Sequence, residues 1–410
     1  MKKLLLILAL LKGVFALTLE EAISIALSES DEVKEQLALQ KRGDYLAKAK
    51  YAPLMPSLST EYNFSYNMPQ KGDDTLGNAF SLKFSYNLFN GLRDYYGILS
   101  GRESKKRHTY ALSDAQATTI LKVKNAYISL LQTKTLLAIL QERKKNVERQ
   151  KSRAEQFVKQ GIRAKNESLS MEILLSNTLL SIQNMQLNVE SHLHALEQLL
   201  KTQVSLEELQ DIAIDFKEAF DFDALFEKIL AQNPKYLDLI STQELAKLQN
   251  KSDRGAFLPM VNLSGIKHWG ITSNGAIASA LPLPDQIKLN VSWNLFSGLG
   301  DTYRYQASRI YTLSLSSKLE ATKRDLRIKL ANLLKKLQLT KEQYEISLST
   351  LSKAEENYQI LNNRYTQGIA TYTELINAEL VLNTARTNIA QAKYDFALAR
   401  AELHHLCNQL

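Results

Sequence analysis

Two periodicities divide the chain. Leu58, Thr60, Tyr62, Phe64 and Tyr66 alternate with Ser57, Ser59, Glu61, Asn63, Ser65 and Asn67, and Phe80, Leu82, Phe84, Tyr86 and Leu88 alternate with Ser81, Lys83, Ser85 and Asn87. Ile287, Leu289, Val291, Trp293 and Leu295 repeat the pattern against Gln286, Lys288, Asn290, Ser292 and Asn294. Period two predicts strands over about 57–67, 79–89 and 286–296, with one aromatic-rich face and one polar face. A fourth, over 260–269, fits less well, because Ile266 and His268 fall out of phase. Elsewhere the pattern is heptad. Leu326, Leu330, Leu333, Leu337, Thr340, Tyr344, Ser347, Leu351, Ala354, Tyr358, Leu361 and Tyr365 advance by alternate steps of four and three. After Gly368, the series Leu375, Leu382, Ile389, Phe396 and Leu403 interleaves with Ala378, Ala385, Ala392, Ala399 and Leu406. Large residues against Ala let two antiparallel helices approach closely. Met171, Leu175, Thr178, Ile182, Met185, Val189, His192, Leu196 and Leu199 form the same seam less cleanly, with His192 read as a buried or partly wet histidine rather than a ligand.

The chain is written twice. Asn87-Leu88-Phe89-Asn90-Gly91-Leu92 returns as Asn294-Leu295-Phe296-Ser297-Gly298-Leu299, and Gln160-Gly161-Ile162 returns as Gln367-Gly368-Ile369, both 207 residues later. Glu167 and Glu374 keep that offset, whereas Pro56 and Pro259 stand 203 apart. The change places a four-residue insertion in the strand region of the second half. Constant spacing through the helical block implies a fixed length, and an outgoing helix from about Gly91 to Lys159 would be ~100 Å long.

Composition bears on where such a chain works. Only 15 Gly and 7 Pro occur in 410 residues, which suits long unbroken helices. The opening Met1-Lys2-Lys3, the apolar run Leu4 to Leu11 and Val14-Phe15-Ala16 form a secretory signal over 1–16, the alternative being an amphipathic helix of a cytosolic protein. Removal of Lys2, Lys3 and Lys12 lowers the net charge from +8 to +5, a weak basic bias that singles out no nucleic acid partner. Cys407 is the sole cysteine, so no intrachain disulfide can form. No later segment approaches a membrane-spanning helix, so entry into a membrane would require a β-barrel. The strands have the length and the alternation of lipid-facing barrel strands; the other reading is an amphipathic sheet over a soluble core. Four strands cannot close a barrel, so a barrel requires several copies sharing one wall.

This doubled strand–strand–helix–turn–helix order, the Asn-Leu-Phe-x-Gly-Leu exits, the two Gly-Ile turns and the opening Leu19-Glu20-Glu21-Ala22-Ile23 resemble the TolC family of outer-membrane efflux proteins. The likeness covers essentially the whole mature chain. It implies a mostly α-helical fold with a membrane β-barrel contribution, in which a homotrimer forms a 12-stranded barrel on a helical coiled-coil tunnel through the periplasm. It divides the chain into a first repeat over 17–202, an equatorial segment over 203–222 and a second repeat over 223–410. In the family, inward-facing acidic rings close the periplasmic tip. Tyr365, Gly368 and Glu374 match the family's tyrosine, glycine and first acid; Ala370 stands where an arginine would be, and Asn377 where a second acid would be. The resemblance thus implies a gate of Glu374, Tyr365 and Asn377, with Glu167 as the first-half equivalent of Glu374. The bland alternative for either glutamate is a solvated charge at a helix start. Gly161, Ile162, Gly368 and Ile369 match the surface on which a periplasmic adaptor protein docks, or are simple helix–helix turns.

No phosphate loop, metal-ligand pair or catalytic triad is present in the sequence, so no enzyme activity and no cofactor are expected. His404 and Cys407 at i, i+3 are too few ligands for a metal site. The expected function is a passive outer-membrane exit duct of a tripartite efflux or type I secretion system in a Gram-negative bacterium. An inner-membrane pump would drive it, an adaptor would open it, and outer-membrane lipid would surround it. The competing reading is a secreted trimeric coiled-coil structural or adhesive protein. Six scattered methionines give no support for soft-metal export, and the loops over 68–78 and 270–285 carry no binding signature.

Overall fold

The first helix begins where its capping signal stands. The Thr18 hydroxyl accepts from the Glu21 N–H and the Glu21 carboxylate accepts from the Thr18 N–H, a closed capping box. The computed structural model describes residues 17–68, 75–216, 218, 220–274, 281–282 and 284–409. Residues 1–16, where a secretory signal is expected, and parts of both strand-connecting loops lie outside the described residues. The helices are α1 (Leu19–Glu29), α2 (Asp31–Ala49), α3 (Arg93–Lys159), α4 (Lys165–Leu200), α5 (Phe222–Gln232), α6 (Pro234–Asp253), α7 (Gly300–Thr366) and α8 (Tyr372–Leu406). The strands are β1 (Ser57–Asn67), β2 (Thr75–Asn90), β3 (Met260–Asn274), β4 (Leu281–Pro282) and β5 (Gln286–Ser292). The two outgoing helices α3 and α7 have the same length, 67 residues, and the returning helices α4 and α8 have 36 and 35. Among the described residues no helix is long and apolar enough to cross a membrane.

The chain divides into two spatial units, each drawing on both halves of the repeat. One comprises 36–112 and 234–323 and holds the sheet. Its order is β1-β2-β3, with β4 and β5 both antiparallel to β3 along the same edge, so the sheet is four strand positions wide. Direct partners Leu58↔Phe84, Tyr62↔Phe80 and Phe80↔Trp269 put the aromatic residues on one face, where Phe80 and Trp269 pack with centroids 5.7 Å apart.

Two expectations for this sheet need correction, and the out-of-phase residues of β3 find their place. The alternation through Leu88 breaks at a β-bulge between Asn87 and Phe89, so Phe89, not Leu88, pairs with Val261. The out-of-phase residues of β3 are resolved by register: Ile266 and His268 pair with Lys83 and Ser81 on the polar face. Lys267 instead shares the aromatic face, where it pairs with Asp285 at 2.8 Å and lies over the Trp269 ring. The last strand stops at Ser292 rather than running to 296; the Trp293 indole N–H turns away to the Phe257 carbonyl.

The recurring Gly-Leu exit has a backbone cause. Gly91 and Leu92 have φ of +69° and +66°, and Gly298 and Leu299 have +64° and +66°. Two successive left-handed residues turn the chain from strand to helix, and the first must be Gly where backbone approaches closely. A Cβ on Gly91 would collide with the Gly255 carbonyl.

The other unit comprises 17–35, 113–233 and 324–409 of the described chain and is helical. The heptad seam is buried at Leu326, Leu330, Leu333, Leu337, Thr340, Ala354 and Tyr365 on α7, and at Leu375, Leu382, Phe396 and Leu403 on α8. α8 buries more than the two-helix seam expected from its heptads. Tyr394, Ala397 and Ala401 form a second core with Val123, Tyr127, Ile128 and Leu131 of α3 and Val189, Leu196 and Leu200 of α4. This is four-helix packing, with small residues on α8 allowing close approach on two sides. Val204, Leu209, Ile212 and Ile214 of the following segment pack on this core, Leu17 bridges to Leu209, and the Tyr127 hydroxyl lies 2.8 Å from the carbonyls of Leu17 and Gln210. Burial pushes the Tyr127 phenol up to about 12.

Candidate functional site

Each long helix ends in the same reversal. Gly161 and Gly368 take φ of +70° and +76°, which only Gly adopts without strain. The N–H groups of Ile162 and Arg163 then donate to the Phe157 carbonyl, as those of Ile369 and Ala370 donate to Arg364. The reversal leaves Ile162 and Ile369 on the outside, 56% and 63% exposed. Two large apolar side chains at exposed turns have no partner within the fold.

The two turns then diverge. Arg163 and Ala370 are equivalent positions, 207 apart, and Ala370 is 1% exposed. Arg163 reaches from the first turn to the second: its Nη2 donates to the Ala370 carbonyl at 2.8 Å and the Gly368 carbonyl at 3.3 Å. Its guanidinium also lies over the Tyr365 ring at 5.9 Å, and its Nη1 stands 3.7 Å from Glu167 Oε1. Tyr365 is fully buried, edge-on to Phe157, with no hydrogen bond to its hydroxyl. Burial raises its phenol pKa, and the nearby Glu167 carboxylate adds to the rise. Glu167 Oε2 is likewise buried without a hydrogen bond.

Among the residues singled out from the sequence, Tyr365 and Glu167 therefore meet in one cluster. Glu374 and Asn377 do not join it; both are exposed. The Glu374 carboxylate accepts from the Thr371 N–H at 2.7 Å and hydroxyl at 2.8 Å, closing a capping box at the start of α8. Those bonds, the backbone one foremost, hold its carboxyl below the usual range. Gly161, Ile162, Gly368 and Ile369 occupy the turns themselves.

Arg163 is the residue that sequence reasoning missed. The second half carries Ala370 at this position, and the 207-residue offset leads from it directly to Arg163 in the first. A guanidinium can satisfy two carbonyls of a facing turn at once, and a charged donor makes each bond worth about 1.5–3 kcal/mol. The cluster holds no paired nucleophile and base. What it does is fasten one hairpin turn to the other.

Comparison with known proteins gives this arrangement a family. The family model for outer membrane efflux proteins matches residues 22–201 and 225–409, most of both halves. The chain is 20% identical over 373 residues to the outer membrane protein TolC of Salmonella enteritidis, covering 88% of this chain and 75% of that one. Its fold is similar to that of VceC from Vibrio cholerae, with a TM-score of 0.81 at 15% identity over 95% of this chain and 96% of that one. It is also similar to the Campylobacter jejuni CmeC outer membrane channel, with a TM-score of 0.78 at 17% identity over 95% and 85%. None of these findings supports a secreted adhesive protein. The chain belongs to the family of outer membrane efflux proteins, and it is an outer-membrane exit duct for efflux.

Proposed function

We propose that three copies of this chain form one passive channel, each giving four strand positions to a 12-stranded barrel and two helical hairpins to a periplasmic tunnel. The observation that carries this reading is the sheet. Tyr62, Phe64, Ile287, Leu289 and Val291 on it are more than 60% exposed, and among the described residues the outer edges of β1 and β5 have no partner strand. An apolar face suits lipid, and open edges suit pairing with further copies. The repeat boundaries at 17–202 and 223–410, the equatorial segment between them and the cleaved signal at 1–16 belong to the same reading.

At the tip, Arg163, Tyr365 and Glu167 form the latch that keeps the hairpins together, while Glu374, with Asn377 one turn on, faces the pore. Three Glu374 carboxylates around a narrow opening would favour cations. The exposed Ile162 and Ile369, set by Gly161 and Gly368, supply an apolar contact for a periplasmic adaptor. Adaptor binding to the splayed form would supply the differential free energy for opening. The inner-membrane pump drives transport, and the duct itself catalyses no reaction. Fractionation tests the placement: the protein should run as a heat-modifiable band in the outer-membrane fraction, and its release into the medium would contradict the duct.

A further inference from the structure

Above the latch, on the face of α8 that meets α3 and α7, lies a carboxyl group that the gate does not use. Glu379 is 1% exposed, and neither of its carboxyl oxygens accepts a hydrogen bond. Two amides lie nearby, each engaged elsewhere through one of its two N–H groups. Gln150 Nε2 on α3 donates to the Tyr358 hydroxyl of α7 at 3.0 Å, and Asn383 Nδ2 donates to the backbone carbonyl of Glu379 at 2.9 Å. Gln150 Oε1 is buried with no donor. An ionised carboxylate here is a buried charge; the Arg143 cation and the amides of Asn383 and Gln150 favour it, but burial outweighs them. A neutral acid has one hydroxyl to give, and Gln150 Oε1 is an acceptor lacking one.

The charges around Glu379 leave one candidate for its ionised form. From α3 come Arg143 and, beyond it, Arg149, which bears on Tyr358. From α7 come Tyr358 and Glu355; from α4 come Glu167 and Ser170, which act on Tyr372 of α8. Arg386 of α8 is engaged by Glu142 at 3.0 Å and Glu355 at 3.4 Å. Arg143 is not so engaged: its Nε is buried without an acceptor, and its charge is the one that favours a Glu379 carboxylate. Against it, burial is the larger influence and raises the Glu379 pKa.

We propose that Glu379 is a proton-operated switch: as a neutral acid it locks α8 against α3 and α7 in the closed duct, and its deprotonation frees α8 to swing toward Arg143 and water. The inference rests on the reading of the chain as a gated duct. Its sign follows from linkage. A carboxyl that holds its proton more tightly in the closed packing than in the splayed form favours closure at low pH. That advantage fades as pH rises from the ordinary carboxylate value of about 4.3 through the raised one. The closed-to-open ratio should fall up to about tenfold for each unit separating the two pKa values.

The experiment is single-channel recording of the full-length protein in planar bilayers across that range, for wild type and Glu379→Gln. Wild type should open more as pH rises, whereas Glu379→Gln, a permanent neutral stand-in, should stay mostly closed with a flattened pH response. Infrared difference spectra between wild type and Glu379→Gln, followed across the same pH range, should show a protonated carboxyl carbonyl band in wild type that persists above the pH at which ordinary carboxylates ionise. If Glu379→Gln fails to assemble, Arg143→Gln reads the same idea, because loss of that cation should move the opening transition to higher pH. A conducting wild-type channel with a flat pH response, or one lacking the carbonyl band, overturns the switch and leaves the duct standing. A wild type that never conducts overturns the duct and the switch together.

Discussion

At the tip, one guanidinium touches two carbonyls, one carboxylate and one aromatic ring, so Arg163 is where the latch is most vulnerable. Arg163→Gln keeps one donor group but loses the charge and the fork. It should weaken the closed state by about 1.5–3 kcal/mol, ten- to a hundredfold in the closed-to-open ratio. Bilayer recordings should show a raised open probability, and an unchanged one would remove Arg163 from the gate. Glu374 needs a gentler substitution, because its carboxylate also caps α8. Glu374→Gln preserves an acceptor for Thr371 while removing charge, so cation conductance and cation preference should both fall with little change in melting temperature. Unaltered selectivity would take Glu374 out of the pore. The tip residues were only partly legible in the sequence. Tyr365 and Glu374 stood out by resemblance, but resemblance alone does not say which carboxylate is spent in a helix cap. Arg163 lay hidden because its contacts are with carbonyls 205 and 207 residues away, which no local pattern marks.

Among the elements, the long helices were the most readable, because a heptad seam is a repeated statement of one burial preference. Leu330 and Leu403 are almost wholly enclosed, and Leu330→Ala should cost about 2–5 kcal/mol, seen as a lowered denaturation midpoint. A loss below 0.5 kcal/mol, the usual size for an exposed position, would place Leu330 outside the core. The second core on α8 was not legible, because Ala397 and Ala401 carry too little apolar area to mark a face. The strand pattern was readable up to its irregularities. The bulge at Leu88 changes parity without changing composition, and Lys267 sits on the aromatic face because Asp285 and Trp269 accept its charge there. At the turn, Gly368→Ala meets no atom within 4 Å and suffers only the left-handed backbone strain, about 1–2 kcal/mol. Gly91→Ala adds a collision with the Gly255 carbonyl and should lower the melting temperature more. Equal losses for the two variants would contradict the packing described at the strand exit.

For the whole molecule, the doubling was the strongest signal, since offsets of 207 fix equal helix lengths before any coordinates are known, and α3 and α7 do have 67 residues each. The way the chain is partitioned in space was not legible. The two spatial units cut across both repeats, because pairing between sequence-distant strands and helices outweighs proximity along the chain. The open edges of β1 and β5 and the exposed aromatic face then ask for more copies of the same chain and for lipid. Electron microscopy of the full-length protein extracted in detergent, viewed end-on and from the side, tests this most directly. The account predicts a hollow, threefold tube roughly 100 Å or more in length, as helices of this size require. A monomer or a solid rod would contradict it.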